Sequence, residues 1–526
     1  MGGIFFAIQN QISFNTNLIK AFQNIKYRGQ DSSTISTDCT VSINNLRERD
    51  LTMVKSVLSR QELARYVQYH FIYGYHSFLV TCPDAMQPFC DPIQARVNLD
   101  DLTKGTSDYR SLRSRVPRKL LCNGEIYNYD ELKRLGNFDQ RDLETNCDVE
   151  IILPVYIRDG LESTLAKLDG EFAFVITENV STYKISDVKV YVARDPLGLK
   201  PLYYNISNGA ATFVSEQKGT NLATKPFPPG FYFDFQKWRL NQDPFVRYYN
   251  FSTFESLDNC TFTKSDPETL KDVYNKLYEN VHSSVIKMSS SFLEIGILVS
   301  GTVESCAIAK IYTSAFPGKV NLFTISDTLN GENLDIGFTE KFVHTLGSNV
   351  TLHVININEI ELLASSTGVL KDLLVENPKD GILEYHLFDY IKKNTNVRVV
   401  LSGYGTELYM GTHLRNLDDA VFQKTSITSL KEAHLGKLKV TDAVSNYFGI
   451  EVRMPFLSKG LLEFILRVHP RLKRENFYKK NAKIEKYILR KTIEIKLGLP
   501  EEIVWRQKGT AFTNFEKRFD NWAASN

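Results

Sequence analysis

The sequence predicts an α/β protein with two domains, and three observations carry that prediction. A chain of 526 residues is too long for one compact core, so two or three domains are expected. The first half is rich in short β-branched and aromatic runs separated by turn signals, which predicts a strand-dominated domain. In the second half, short apolar runs alternate with helical periodicity, which predicts a parallel sheet with helices on both faces.

In the first half, β-branched and aromatic runs mark the strands. We expect strands at 120–122, 172–177 and 188–193, and a hairpin that joins 203–204 to 211–214 through Asn208 and Gly209. A helix is predicted from Glu150 to Asp159. The segments 39–69 and 92–117 fit this pattern poorly, and we interpret them as insertions or long loops.

Composition changes between Pro226 and Pro267, where a Pro-Pro-Gly run and a polar stretch separate the two halves. This places the first domain at 2–230, a linker at 231–266 and the second domain at 267–526. In the second domain we expect strands at 295–299, 320–325, 350–355 and 397–401, and a helix over 306–315. The tail from Lys431 onward is predicted to be mostly helical.

Charge and cysteine usage exclude several classes of partner. The net charge is +2 without a long basic run, so neither nucleic acid nor an acidic membrane is expected as a partner. Neither a signal peptide nor an apolar stretch of about 18 residues is recognisable. Seven irregularly spaced cysteines without C-x-x-C, and nine histidines without ligand spacing, argue against a disulfide framework and a structural metal. Reduced thiols fit a cytoplasmic location.

Five short motifs in the first half point to one family. They are Met-Gly-Gly-Ile-Phe-Phe at 1–6, Arg-Gly-Gln-Asp at 28–31, Asn-Gly-Glu-Ile-Tyr-Asn-Tyr at 123–129, Leu-Asp-Gly-Glu-Phe-Ala-Phe at 168–174, and Ala-Arg-Asp-Pro-Leu-Gly-Leu-Lys-Pro-Leu-Tyr-Tyr at 193–204. Alone, Asn-Gly-Glu after a strand favours a simple hairpin turn. In this order, the motifs resemble class II glutamine amidotransferase domains, and specifically glutamine-hydrolysing asparagine synthetases. The resemblance implies an αββα sandwich of the N-terminal-nucleophile type.

The first-half site departs from the family at its reactive atom. In that family the cysteine after the initiator methionine becomes the nucleophile, but here the position holds Gly2, which has no side chain. By resemblance, the Asn123 side chain and the Gly124 N–H form the oxyanion hole, and Glu125 and Asp148 hold the α-amino group of glutamine.

A second departure concerns the arginine that binds the glutamine carboxylate in the family. Counting back from Gln87-Pro88 places His76 at its position, and an imidazole replaces a bidentate guanidinium poorly. We therefore expect no glutamine hydrolysis.

The second half resembles the ATP pyrophosphatase domain of asparagine synthetases, which has an adenine-nucleotide α-hydrolase-like fold. The family loop Ser-Gly-Gly-x-Asp-Ser reads Ser-Gly-Thr-Val-Glu-Ser at 300–305. The resemblance assigns phosphate contacts to Ser300, Gly301, Glu304 and Ser305, with Glu304 as a weak ligand for Mg²⁺. Thr302 adds a Cβ where backbone approaches phosphate, and Glu304 is one methylene longer than aspartate. A generic strand-to-helix turn with a serine cap is the alternative interpretation.

The second family signature, Leu-Ser-Gly-Glu-Gly-Ala-Asp-Glu, is altered at 401–408, where we expect the loop to be one residue short. Tyr404 takes the position of the catalytic glutamate, and we expect the second-loop aspartate to be replaced or deleted near Thr406. Ser402 and Gly403, which contact ATP in the family, remain.

Further matches complete the resemblance to the ATP-binding half. Leu298 and Ile325 match adenine contacts, although apolar strand residues are usually core. Glu-Val-Arg-Met-Pro-Phe-Leu at 451–457 and Lys-Tyr-Ile-Leu-Arg at 486–490 match the family, as does Lys508 at the position of a phosphate-binding lysine.

Three hypotheses follow. The first is a degenerate asparagine-synthetase homologue, closest to the asparagine synthetase domain-containing proteins, that binds ligands or protein partners but turns over slowly or not at all. The second is an ammonia-dependent asparagine synthetase, and the third is another amide-forming enzyme that resembles β-lactam synthetases, which carry tyrosine at the position of Tyr404. By resemblance, the ligands are amino acids, ATP and weakly held Mg²⁺. The sequence leaves the protein partners open.

Overall fold

The computed structural model forms two compact units, residues 1–250 and 251–526. It describes residues 2–9, 22–28, 32–41, 67–77, 87–90, 118–140, 142–180, 185–326, 334–356, 368–375, 379–477 and 482–506. Each unit has its own sheets, and each is considered in turn.

The first unit contains two antiparallel sheets. The strands are β1 (Gly2–Gln9), β2 (Ser32–Val41), β3 (Val67–Ser77), β4 (Phe89–Cys90), β5 (Arg118–Ile126), β6 (Gly170–Glu178), β7 (Lys189–Arg194), β8 (Tyr203–Ser207), β9 (Ala210–Val214), β10 (Lys225–Pro226), β11 (Phe231–Asp234) and β12 (Phe245–Arg247). One sheet has the order β10-β8-β9-β1-β3-β2, and the other has the order β12-β11-β7-β6-β5-β4. These strand orders include only strands formed by the described residues.

Side-chain alternation along the strands builds the layers of this unit. In β1, Ile4, Phe6 and Ile8 enter a core shared with β6, β7 and β11, because alternate residues of a strand face opposite sides of its sheet. Phe5 and Ala7 face the other way, onto the short helical segment at 22–28. The two sheets therefore pack face to face.

Helices cover the outer face of the second sheet. They are α1 (Tyr129–Gly136), α2 (Ile152–Asp159) and α3 (Leu161–Lys167); a short α4 (Phe235–Arg239) follows β11. Phe172, Phe174 and Ile176 of β6 pack with residues of α1, α2 and α3, whereas Ala173 and Val175 face the core between the sheets. A helical layer, two sheets and a second helical segment match the expected αββα sandwich.

Most strand predictions for this unit are confirmed, with shifts at their ends. The hairpin of β8 and β9 turns at Asn208 and Gly209, whose φ values of 52° and 72° suit the left-handed turn that an Asn-Gly pair favours. The predicted helix at 150–159 starts as a 3₁₀ turn (Asp148–Ile151) and becomes α-helical at Ile152. Within 39–69, the interpretation as loop is wrong at both ends, since β2 extends to Val41 and β3 begins at Val67. Residues 42–66 and 92–117 lie outside the described residues.

Residues 231–250, which the sequence assigns to the linker, belong to the first unit. β11 pairs with β7, and β12 pairs with β11. Pairing satisfies backbone groups that a linker would expose, so this segment lies on the edge of the sheet although its polar composition favours a linker.

The second unit is built on a parallel sheet with the order β15-β14-β13-β16-β17 in the described residues. Its strands are β13 (Ile295–Leu298), β14 (Val320–Ser326), β15 (Val350–Asn356), β16 (Val399–Leu401) and β17 (Glu451–Arg453); β18 (Glu475–Phe477) and β19 (Ala482–Ile484) form a separate hairpin. The predicted parallel sheet is confirmed, and each predicted strand lies within two residues of its expected bounds. The fold class is α/β in both units, as expected.

Helices surround this sheet. They are α5 (Pro267–Met288), α6 (Val303–Ala315), α7 (Leu334–His344), α8 (Lys379–Asn394), α9 (Thr406–Met410), α10 (Asp419–Glu432), α11 (Lys437–Tyr447), α12 (Lys459–Ile465), α13 (Pro470–Lys473), α14 (Tyr487–Leu497) and α15 (Glu501–Val504). α5 shows how sequence fixes a start, since the Asp266 carboxylate accepts the Thr269 N–H at 2.9 Å and Pro267 occupies the first turn. α6 begins three residues before its predicted start. Among the described helices, none has the length and apolarity that crossing a membrane requires.

Candidate functional sites

The first candidate site lies where β1 begins beside β5. The Gly2 N–H donates to the Asn123 side-chain oxygen at 3.0 Å, and Asn123 is fully buried. The Asn123 Nδ2 has no hydrogen-bond partner among the described residues. A buried amide with one end unsatisfied is costly, and such groups are often ligand-binding donors. The structure therefore brings together Gly2 and Asn123 and leaves one donor available.

Arg28 holds the start of β1 in place, a role that the sequence did not assign. Its guanidinium is buried, donates from Nε to the Gly2 carbonyl at 3.4 Å and forms an ion pair with Glu216 at 2.6 Å. The Ser215 hydroxyl accepts the Ile4 N–H at 2.8 Å. These contacts fix the backbone at Gly2 although the residue has no side chain. In the sequence, the only indication of a role for Arg28 was its place at the start of the Arg-Gly-Gln-Asp motif.

Gly124 is required by the close approach of β5 and β6. A Cβ on Gly124 would lie 2.2 Å from the Glu171 carbonyl oxygen, and one on Gly170 would lie 2.2 Å from the Glu125 carbonyl oxygen. Neither distance is tolerable for a real side chain. The glycines of two separate motifs thus lie in one strand pair, with Gly124 opposite Phe172 and Gly170 opposite Ile126.

Glu125 and Asp148 are the residues predicted to bind the α-amino group of glutamine. Glu125 is buried, and the Asp148 carboxylate accepts the Ile126 N–H at 2.5 Å. The Glu150 carboxylate accepts the backbone N–H groups of Glu144 and Thr145 at 2.7 and 2.9 Å, which orders the loop before Asp148. The structure thus ties Asp148 to the end of β5, two residues after Gly124.

The Arg-Asp-Pro motif is structural. The Asp195 carboxylate accepts the N–H groups of Leu197, Leu199 and Lys200 at 2.9–3.1 Å. Arg194 donates to the carbonyl oxygens of Gly198, Lys200 and Phe227 at 2.7–2.8 Å. These hydrogen bonds of both side chains stabilise the loop that follows β7, so the motif has a structural role and supplies no reactive group.

The second candidate site, in the other unit, is the turn between β13 and α6. Gly301 has a φ of 68°, and the Ser305 hydroxyl accepts the Ser300 N–H at 3.2 Å and donates to the Thr302 carbonyl at 3.0 Å. The Arg506 guanidinium donates to the Gly301 carbonyl at 3.3 Å. The Ser305 hydroxyl therefore closes the turn from inside α6, whereas Thr302 at the N-cap makes no side-chain capping hydrogen bond.

The loop after β16 packs directly on the first turn of α6. A Cβ on Gly403 would lie 3.0 Å from the Ser305 backbone nitrogen and 3.1 Å from the Glu304 Cβ, so glycine permits this contact. The Ser402 N–H donates to the Arg453 carbonyl at 2.9 Å. Gly403 is thus brought next to Glu304, and the predicted ATP contacts of Ser402 and Gly403 stay predictions.

The expectation that the second loop lacks its acid does not hold. Glu407, in the first turn of α9, extends a carboxylate to the Lys486 ammonium. The same ammonium lies 2.7 Å from the Glu304 carboxylate, which also accepts the Thr406 hydroxyl at 2.5 Å. Both loops therefore carry a glutamate, and the sequence comparison missed this because it placed a gap in the loop.

The charges of this cluster are strongly coupled. Burial alone raises the pKa of the Glu304 carboxyl, but the Lys486 ammonium and the Thr406 hydroxyl outweigh burial and lower that pKa to about 2. Burial lowers the pKa of Lys486, while Glu304 and Glu407 raise it, with a net increase. Both groups are therefore ionised at neutral pH.

Tyr404 is partly buried near the same cluster. Burial, and then the carboxylates of Glu384 and Glu407, raise the pKa of Tyr404 to about 12. Glu384 is bound by the Thr441 hydroxyl at 2.8 Å and the Lys437 ammonium at 2.9 Å. A phenol in this environment stays protonated at neutral pH.

The remaining motifs hold the site's framework together. Arg453 is fully buried, donates to the Glu451 carboxylate at 2.6 Å and to the carbonyl oxygens of Met288 and Ser290. Arg490 donates to the carbonyl oxygens of Val504 and Arg506, which places Arg506 beside the Gly301 turn.

Some predicted positions are less fully described. Leu298 and Ile325 are half-buried at the ends of β13 and β14, which suits core and ligand contact alike. The His76 backbone pairs with Gly3 in β3, but its side chain and the whole of Lys508 lie outside the described residues.

Comparisons with known proteins bear on both units. A glutamine amidotransferase domain matches residues 94–242, and an asparagine synthase domain matches residues 276–422 and 414–525. A probable asparagine synthetase [glutamine-hydrolyzing] from Acanthamoeba polyphaga mimivirus is 30% identical over 430 residues, which cover 77% of this chain and 74% of the relative. This chain belongs to the asparagine synthetase family. The asparagine synthetase [glutamine-hydrolyzing] of Mus musculus is 28% identical over 421 residues, 75% of this chain and 72% of its own.

Solved structures align less closely than these family members. The glutamine phosphoribosylpyrophosphate amidotransferase from B. subtilis, complexed with ADP and GMP, covers 67% of this chain and 81% of its own, with a TM-score of 0.31 and 14% identity. A TM-score this low supports no residue-level correspondence.

Proposed function

We propose that this member of the asparagine synthetase family does not hydrolyse glutamine and that its first unit keeps an amide-binding pocket without a nucleophile. The observation that carries the proposal is the pair Gly2–Asn123. Attack on an amide requires a nucleophilic side chain within reach of the carbonyl carbon, and Gly2 supplies none. Around it the frame is intact, since Arg28, Ser215 and Asn123 bind the backbone of β1.

The Asn123 Nδ2 gives this pocket its ligand chemistry. A buried donor without a partner among the described residues suits a carbonyl or carboxylate oxygen, and such an oxygen would satisfy it. In this proposal Gly124 supplies a second N–H, and Glu125 and Asp148 bind an α-amino group. Glutamine is therefore the expected ligand class, and its carboxylate is held weakly because His76 replaces an arginine.

A glutaminase assay tests the proposal directly. Glutamate release from glutamine by the parent chain should equal that of a heat-killed control, since loss of a nucleophile removes several orders of magnitude in rate. Gly2→Cys should restore little activity, because the carboxylate is still weakly held. Gly2→Ala serves as the control for the added side chain, because its methyl group is not a nucleophile. Release by the parent above the heat-killed control would refute the proposal, and family-like rates in Gly2→Cys would show that only the thiol was lost.

In the second unit we propose that ATP-dependent conversion of aspartate to asparagine is slow or absent. Thr302 lies in the phosphate turn, Ser305 closes that turn on itself, and Glu304 is already engaged by Lys486 and Thr406. Each of these contacts must rearrange before a nucleotide phosphate can approach. The chain would then be a pseudoenzyme in both halves. We propose a cytoplasmic location, because the irregular spacing of the seven cysteines favours reduced thiols.

One observation favours a second candidate, an ammonia-dependent asparagine synthetase. The second unit has a strand–turn–helix geometry, with Gly301 at positive φ and Gly403 packed against the first turn of α6. Pyrophosphate release should be measured with ATP, Mg²⁺, aspartate and ammonia. Release above the aspartate-free control would favour this candidate, and its absence supports the degenerate protein. The raised pKa of Tyr404 supports neither a role as proton acceptor nor the third, β-lactam-synthetase-like alternative.

A further inference from the structure

Lys486 combines backbone strain, burial and double ion pairing at one residue. It precedes α14 with a φ of 60°, a left-handed conformation that glycine or asparagine adopts at much lower cost. A non-glycine residue held there costs on the order of 1–3 kcal/mol. It is 6% exposed. The surroundings must therefore compensate, and the compensating contacts are those of the ammonium.

The ammonium joins the two loops that follow neighbouring parallel strands. Glu304 stands in the first turn of α6 after β13, and Glu407 stands in α9 after β16. Lys486 contacts both carboxylates, one of them at 2.7 Å. Two buried or half-buried carboxylates this close repel each other unless a cation lies between them. Lys486 is that cation.

The family to which the chain belongs implies Mg²⁺ at this site, so the residues can be tested for fit. Mg²⁺ requires near-octahedral oxygen ligands at about 2.0–2.1 Å. The Glu304 oxygen nearest Lys486 already receives the ammonium and the Thr406 hydroxyl, and Glu407 receives the same ammonium. No group of three or more histidine, cysteine or acidic side chains suited to a metal occurs in the described ranges. A divalent ion that uses these two carboxylate oxygens must therefore displace the Lys486 ammonium.

We propose that Lys486 is a built-in cation that joins Glu304 to Glu407 and excludes a divalent metal ion from the synthetase site. The lysine ties the loop after β13 to the loop after β16 without metal. A ligand that enters the site therefore contacts the Lys486 ammonium, which is covalently part of the chain, in place of an exchangeable divalent metal ion. This proposal goes beyond the loss of glutamine hydrolysis and does not depend on it, because it concerns the other unit and is tested without nucleotide or glutamine.

The test is a titration of the full chain with Mn²⁺, a spectroscopic substitute for Mg²⁺, followed by electron paramagnetic resonance. The parent should show no saturable site, whereas Lys486→Met frees two carboxylates and should bind Mn²⁺ at least about 10-fold more tightly. Adding Glu304→Gln to Lys486→Met should abolish that binding. Lys200→Met is the matched control, since it breaks another buried lysine–carboxylate pair, with Glu171 at 3.1 Å, in the other unit.

Each outcome decides the proposal. A saturable Mn²⁺ site in the parent that is lost in Glu407→Gln would overturn it, and this measurement holds even if Lys486→Met fails to fold. A folded Lys486→Met that binds no more Mn²⁺ than the parent would also overturn it. Lys486→Arg retains the positive charge and should exclude Mn²⁺ as the parent does. A gain in Lys486→Met that is absent in Lys486→Arg and Lys200→Met would establish the exclusion.

Discussion

The two candidate sites differ in how their polar groups are satisfied. In the first unit, position 2 is a glycine without a side chain, and the Asn123 Nδ2 has no hydrogen-bond partner among the described residues. In the second unit, the Lys486 ammonium engages the carboxylates of both Glu304 and Glu407. A donor without a partner can bind a ligand without breaking a contact, whereas a ligand at the ion pair must compete with that pair. The first site should therefore tolerate substitution better than the second.

The largest expected effect is on stability, when the ion cluster of the second unit is broken. Lys486→Met leaves the buried Glu304 carboxylate without its cation, and we expect the free energy of unfolding to fall by about 3–5 kcal/mol. Adding Glu304→Gln and Glu407→Gln removes the unpaired charges and should recover most of that loss. Chemical denaturation of the three proteins measures this. A loss below about 1 kcal/mol in Lys486→Met would show that the cluster is not the main support of these loops.

The same cluster predicts that the stability of the second unit depends on pH. The pKa of Glu304 is about 2 in the folded chain, below its ordinary value of 4.5, so the unfolded chain takes up this proton first as pH falls. The stabilisation by Glu304 is therefore complete above about pH 4.5 and is lost as pH falls toward 2. The free energies of unfolding of the parent and of Glu304→Gln, measured at several pH values, should therefore become equal as pH falls across this window. A difference in the free energy of unfolding that stays constant from pH 4.5 to pH 2 would contradict the ion pairing.

A smaller effect compares two buried asparagines of the first unit. Asn128 uses both ends of its amide, donating to the Lys167 carbonyl at 2.9 Å and accepting the Asp169 N–H at 3.0 Å, whereas Asn123 uses one. Asn128→Leu should therefore cost about 1 kcal/mol more than Asn123→Leu, roughly the worth of one hydrogen bond. Thermal and denaturant unfolding measure both. An equal or larger cost for Asn123→Leu would mean that its Nδ2 is satisfied in the folded protein.

The smallest expected effect is at Tyr404. Its pKa of about 12 keeps the hydroxyl protonated, and we expect Tyr404→Phe to change stability by less than about 0.5 kcal/mol. Pyrophosphate release with ATP and aspartate should also be unchanged. If the parent shows release and Tyr404→Phe abolishes it, the tyrosine transfers protons and the degenerate interpretation of the second unit is wrong.

The sequence by itself determined the fold class and most of the regular elements. Periodicity predicted the antiparallel strands at 172–177 and 188–193 and the parallel strands around 295–299 and 320–325, because side-chain alternation and apolar runs are local signals. The family motifs located Gly2, Asn123 and the turn at 300–305. Local signals failed at 39–41 and 67–69, where the ends of β2 and β3 pair with an irregular register. They also failed at 231–250, because its pairing with β7 depends on residues far away in the chain.

Only the tertiary structure decided how the site residues are used. Gly124 and Gly170 lie 46 residues apart in the chain, and their strand contact shows why each must lack a side chain. Likewise, the Asn123 side chain accepts a hydrogen bond at Oδ1 but has no partner for Nδ2 among the described residues, which depends on its neighbours in space. Above all, Lys486 follows Glu304 by 182 residues and Glu407 by 79, separations at which no sequence pattern predicts contact. Charged groups interact when they are close in space, and the parallel sheet brings them close because the loops after neighbouring strands lie at the same edge.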